Sequence, residues 1–182
     1  MGFVDNFEID ILNHHWIDND PNNESDECSH GQFILSIAGE GILTQEDTIQ
    51  DWTTSTSVLR LLRTIESDFV QDRGPGIIIH CGMIQMISCP IAIDWVLNHE
   101  GSEVIIKEIK KYPNTRDEDA VDYNGLVGIV HIDDYKHEIL KVARQVKGFF
   151  ARSKPRRLDG ADVECNNEFW KEFDGLLSKY SK

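Results

Sequence analysis

No Lys or Arg occurs in the first 59 residues of this 182-residue chain, although that stretch holds 12 Asp and Glu. Over the whole chain 18 Lys and Arg face 32 Asp and Glu, a formal charge of −14. Affinity for nucleic acid comes largely from cations that neutralise phosphates, so a direct nucleic-acid ligand is a poor fit. Long apolar runs are also missing, since none approaches the roughly 18 residues that cross a bilayer. Met1-Gly-Phe-Val-Asp-Asn6 has neither the basic region nor the apolar core of a secretion signal, so we expect no membrane partner and a cytoplasmic location. Cysteine is sparse: Cys28, Cys81, Cys89 and Cys165 are scattered, without C-x-x-C pairing or the density of a secreted scaffold. They read as free thiols. The glycines fit neither G-x-x-x-x-G-K-[ST] nor G-x-G-x-x-G between a strand and a helix, which leaves nucleotide binding unsupported.

What is present suits one core. At 40% hydrophobic residues the chain can bury a sizeable interior without disulfide or metal, and we expect a single domain over residues 1–182. Phe7, Ile9 and Ile11 alternate with Glu8 and Asp10, the period of a strand that extends to Trp16. Gln32 to Ala38 reads as its hairpin partner. Between them, Asp18 to Glu27 combines Pro, Asn and Ser with five acids and is expected as an exposed loop. Gly76 to Cys81, Ile91 to Leu97, Glu103 to Ile109 and Leu126 to Ile132 give further strands, with Asn98 to Ser102 as a turn. Ser and Thr between Trp52 and Ser57 offer caps for a helix whose face carries Val58, Leu61, Leu62, Ile65 and Phe69, ending near Gly74-Pro-Gly76. A longer helix follows Asp133 and Asp134, as cap and favourable N-terminal charge, with Tyr135, Ile139, Val142, Ala143 and Val146 on one face, and a last helix carries Phe169, Trp170, Phe173 and Tyr180. The expected class is α+β, a mostly antiparallel sheet of about six strands packed by about three helices.

Chemistry is harder to find. Cys28-x-His30, Cys81 with Cys89, and His14-His15 are the nearest approaches to metal-ligand spacing, and none has a second half in the sequence. Neighbouring His14 and His15 would point to opposite faces of a strand. We therefore expect no metal, no cofactor and no catalytic centre. An enzymatic alternative uses Cys81 as nucleophile with His131 or His30 as base, and another makes the chain a non-catalytic subunit of a larger complex.

Charge is unevenly placed. Residues 136–157 hold eight Lys and Arg against one Glu, opposite in sign to the first 59 residues. Asp18, Asp20, Glu24, Asp26 and Glu27 form one acidic loop, and Asp117, Glu118, Asp119 and Asp122 form a second. Such loops serve solubility, or they dock a basic partner. Asp26-Glu-Cys-Ser-His-Gly31, leading into a strand, and Trp52 to Phe69, with its Ser-rich start and Leu-Arg-Leu-Leu-Arg-Thr core, resemble small acidic immunity proteins. These belong to bacterial contact-dependent inhibition and other polymorphic toxin systems. Cys28, His30 and Ser55 fall at pattern positions, Lys154 to Lys182 lie outside the likeness, and no catalytic motif is carried over. The resemblance implies a cytoplasmic protein that neutralises a cognate toxin by stoichiometric binding. Charge adds that the toxin is basic, as a nuclease domain would be. The nine acids of the two loops are then the expected contact residues, with Trp16, Tyr112 or Tyr123 as aromatic anchors.

Overall fold

The computed structural model describes residues 7–49, 51–70, 76–81 and 89–182. The alternation at the start of the chain places one face of β1 (Phe7–His15) inward, and β1 pairs antiparallel with β2 (His30–Ile37) from Phe7↔Ile37 to His15↔His30. This is the hairpin expected across the first acidic loop. Ala38 and Gly39, at φ of 52° and 80°, reverse the chain into β3 (Glu40–Leu43) on the far side of β2. There β4 (Trp52–Thr53) pairs with the beginning of β2, and the four strands form one sheet.

The second sheet runs β5 (Ile78–Ile79), β6 (Ala92–Glu100), β7 (Glu103–Tyr112) and β8 (Val121–Asp122), with β9 (Gly128–His131) also on β7. All ladders are antiparallel. The fold is α+β, as expected, but its strands divide between two sheets. The six predicted strands correspond to β1, β2, β5, β6, β7 and β9. The turn expected over Asn98 to Ser102 is tighter: Glu100 pairs with Glu103, leaving Gly101 at φ 64° and Ser102. Two-residue connections of that kind match strand twist, so the strands run on to the turn.

Three helices cover the sheets. α1 (Thr54–Arg63) buries Val58, Leu59, Leu61 and Leu62 and stops well before Phe69. Phe69 instead bridges Leu97 antiparallel, while Gly74 and Pro75, the expected stop, lie outside the described residues. α2 (Ile132–Arg152) packs on β1 and α1 through Tyr135, Ile139, Val142, Ala143 and Val146. Its N-cap is His131, whose Nδ1 accepts from the Asp133 N–H at 3.3 Å, rather than either aspartate. Asp133 and Asp134 occupy the first turn, where their charge favours the helix dipole. α3 (Ala161–Tyr180) inserts Phe169, Phe173 and Tyr180. Arg63 holds it to α1 by a forked pair of bonds to Glu172, at 2.6 and 2.7 Å. Buried apolar residues from both sheets and all three helices form one continuous core. Among the described residues no helix is long and apolar enough to cross a membrane.

Candidate functional site

The sheets approach each other at β4 and β5, and a seam of buried hydroxyls fills this junction. Thr53 is the N-cap of α1 but its side chain does not cap; Thr53 Oγ1 donates to the His80 carbonyl at 3.2 Å. Ser57 Oγ accepts from the Ile79 N–H at 3.0 Å, and Ser55 Oγ accepts from the Ser29 N–H at 3.2 Å. Thr54 Oγ1 lies 2.9 Å from the Ser29 carbonyl and 2.8 Å from Ser29 Oγ. The Ser and Thr run reads as a set of helix caps, yet it works as tertiary cross-links. Buried polar groups cost free energy unless paired, and each of these hydroxyls is paired.

His14 leads from this seam to the surface. Its Nε2 is 2.8 Å from Thr54 Oγ1, and its ring stacks on Phe149 with centroids 4.3 Å apart. Burial above all, then the neighbouring His15, Arg152 and His30, lowers its pKa from 6.5 to about 3, so the imidazole is neutral. His14 and His15 were expected on opposite faces, but the β1–β2 register shifts between Leu12 and His15 and Asn13 takes φ 52°. That bulge swings both rings toward the same side. Together they line a cleft of about 400 Å³ with Asn13, Asn19, Gln32 and Asp51. An adjoining cleft of about 370 Å³ shares both histidines and reaches Arg152, Ser153 and Lys154. His15 pairs with Asp51 at 3.2 Å and His30 with Asp26 at 3.3 Å.

The first acidic loop is less free than its composition implies. Glu27 is 5% exposed, contrary to the expectation of an exposed loop, and Cys28 and Ser29 are buried beside it. Burial works against the Asp26 charge, but the His30 bond and the Ile17 and Cys28 N–H groups outweigh it and hold its carboxyl below the usual range. Glu24 pairs with Arg157 at 2.5 Å and Lys154 at 3.8 Å. Arg156 lies over the Trp16 ring at 3.7 Å and donates to the Asn23 carbonyl at 2.8 Å. The chain's two charge poles thus meet, and the cations absent from the first 59 residues arrive from the segment after α2. Asp18 and Asp20 remain exposed. Trp16, a candidate anchor, is only 3% exposed and packs against Phe149 and Phe150. Tyr112 and Tyr123 are half-buried.

The second acidic loop forms a single helical turn over Asp117–Asp119, all three residues exposed. Asp119 pairs with Arg116 at 3.5 Å and Asp122 with Lys110 at 3.9 Å. Asp117 and Glu118 form no ion pair among the described residues.

Of the thiols, Cys28 is buried with Sγ 3.5 Å from Thr56 Oγ1, and burial pushes its pKa up to about 12. Cys81 is exposed at the end of β5 beside Cys89 and His80, a neighbourhood that its distance in sequence from Cys89 conceals. Burial, then the adjoining Cys89, pushes the Cys81 thiol up to about 11, which keeps it protonated at neutral pH. His131, one base considered for it, is occupied at the start of α2. No family profile, curated protein or solved structure matches the chain.

Proposed function

We propose that this chain is an immunity protein: an acidic, cytoplasmic, non-catalytic inhibitor that binds a cognate basic toxin domain, of nuclease type, in a fixed molar ratio. The observation that carries the reading is how charge is disposed after folding. The net charge is −14, and three cations of the basic segment are paired at the surface with carboxylates, Lys154 and Arg157 with Glu24 and Lys147 with Asp174. The exposed Asp117 and Glu118, and the exposed Asp18 and Asp20, keep their fields toward solvent. A basic cleft is drawn to such a surface at long range. Steering of this kind lifts association from about 10⁵–10⁶ M⁻¹s⁻¹ toward 10⁸–10⁹ at low salt. The proposed contact set is Asp18, Asp20, Asp117, Glu118, Asp119 and Asp122. Glu24, Asp26 and Glu27 support the fold of the first loop.

Titration against a candidate basic nuclease toxin domain tests the reading. Inhibition should reach its plateau at a fixed molar ratio; progressive inactivation of excess toxin by trace protein would overturn it. Stopped-flow mixing then tests the surface, with Asp117→Asn/Glu118→Gln and Asp18→Asn/Asp20→Asn as separate variants. At least one pair should slow association and flatten its salt dependence while changing dissociation less. Unchanged rates in both would remove the assignment of these loops.

A further inference from the structure

We propose that His80, Cys81 and Cys89 form a binding site for a thiophilic divalent cation, zinc in the first instance. Their three ligand atoms all lie within 4.8 Å of one another. A tetrahedral zinc ion, with bonds of about 2.3 Å to sulfur and about 2.0–2.1 Å to nitrogen, places its donors roughly 3.3–3.8 Å apart. Closing onto an ion therefore needs about 1 Å of movement or less, within the reach of side-chain rotation. Two thiolates with one imidazole is a zinc-selecting donor set, softer than the oxygen ligands that hold magnesium or calcium.

Independent geometry supports the site. His80 Nδ1 is buried and has no hydrogen-bond partner among the described residues, an unsatisfied polar atom within the cluster. The His80 backbone is fixed on two sides, its N–H donating to the Ile91 carbonyl at 3.1 Å and its own carbonyl accepting from Thr53 at 3.2 Å. Its ring stands edge-on to Trp52, with centroids 6.1 Å apart. Cys89 is two residues from Ile91, so the same anchor positions both sides of the site. Cys81 is exposed, which leaves an entry path and a fourth position for water. Binding would release the thiol protons and join Cys81 to Cys89 through the ion. This inference does not depend on the immunity reading, because all three ligands lie outside the proposed contact set.

The test is anaerobic titration of the reduced, full-length protein with Co²⁺, followed by displacement with Zn²⁺. A thiolate-to-cobalt charge-transfer band and intense visible bands of a tetrahedral site should saturate at one equivalent. Cys81→Ser and Cys89→Ser should each weaken zinc by more than the roughly 10–100-fold lost when an outer partner of a metal ligand is removed. His80→Gln should weaken binding while retaining a thiolate band, and Cys165→Ser should leave binding unchanged. Zinc should also protect Cys81 and Cys89 of the unaltered protein, but not Cys165, from alkylation, a readout that needs no variant to fold. No thiolate band at one equivalent, binding that survives Cys89→Ser, or no protection from alkylation would each overturn the site.

Discussion

His14 should make the fold acid-sensitive below pH 6.5. In the folded protein it is neutral down to about pH 3, whereas in the unfolded chain it takes up a proton near its ordinary 6.5. Below pH 6.5 the unfolded state thus binds more protons than the folded one, and stability falls as pH falls. Above 6.5 both states are neutral and the effect vanishes. At pH 5 the difference amounts to about 2 kcal/mol, from 1.36 kcal/mol per pH unit over the 1.5 units below 6.5. For a domain of this size that is a fall in Tm of roughly 4–8 °C. The groups facing His14 are His15, His30 and Arg152, all adverse to a second positive charge. Carboxylates such as Asp26 and Asp47, held below their usual range, also release stability in acid, so wild type alone does not isolate the effect. The comparison is with His14→Gln, which keeps a polar atom for Thr54 but does not titrate. Urea unfolding of both proteins at pH 7.5 and pH 5 should show wild type losing about 2 kcal/mol more than the variant. The imidazole proton resonances of His14 should not move between pH 7 and 4.5. Parallel stability profiles, or an imidazole that titrates near 6.5, would refute the argument.

Other perturbations read other parts of the structure. Gly76→Ala would place a Cβ 2.6 Å from that of Ala92 and 2.9 Å from the Ile93 carbonyl, so it should cost about 1–3 kcal/mol by urea midpoint. Thr54→Val keeps shape but strips the hydroxyl shared by His14 and Ser29; a loss of about 1–3 kcal/mol is expected, and a neutral result would mean that the seam is not structural. Arg156→Ala removes the cation over Trp16 and should cost about 1 kcal/mol with altered tryptophan emission. Arg157→Ala breaks only a largely exposed pair with Glu24 and should cost less than about 1 kcal/mol, fading with added salt.

Sequence periodicity exposed the elements that bury a stripe or an alternating face, because that burial is what produces the period. The β1–β2 and β6–β7 hairpins and the apolar faces of α2 and α3 were legible for this reason. β3, β4 and β8 were not, since, unlike the equally short β5 and β9, they lie in no extended β-branched run and are set by the strand they join. The Asn13 bulge escaped too, although Asn is among the residues that tolerate positive φ and its place before two histidines was a usable signal. Glu27 shows why composition misleads: a residue in a polar loop is buried when the chain on both sides enters the core, as Trp16 and Cys28 do here. Cys89 could not be joined to His80 and Cys81 by spacing, because tertiary structure creates that neighbourhood.

The same distinction governs the charge. A sequence divided into a negative first third and a positive stretch near its end suggests a dipolar molecule, with a face of each sign for partners. Folding brings part of the two poles together, since Lys154, Arg156 and Arg157 meet the loop at Asn22, Asn23 and Glu24 and Trp16 lies beneath Arg156. The first loop is therefore weakened as a long-range attractor where it meets these cations, at Glu24 above all, and keeps its field mainly at Asp18 and Asp20. At the second loop Arg116 pairs with Asp119 and Lys110 with Asp122, and Asp117 and Glu118 enter no ion pair among the described residues. If attraction is decided by uncompensated charge rather than by the number of acids, neutralising Asp117 and Glu118 should slow capture of a basic partner more than the same change at Asp18 and Asp20. The opposite order would place the first contact at the first loop and make its closure by Lys154 and Arg157 a barrier that the partner must displace.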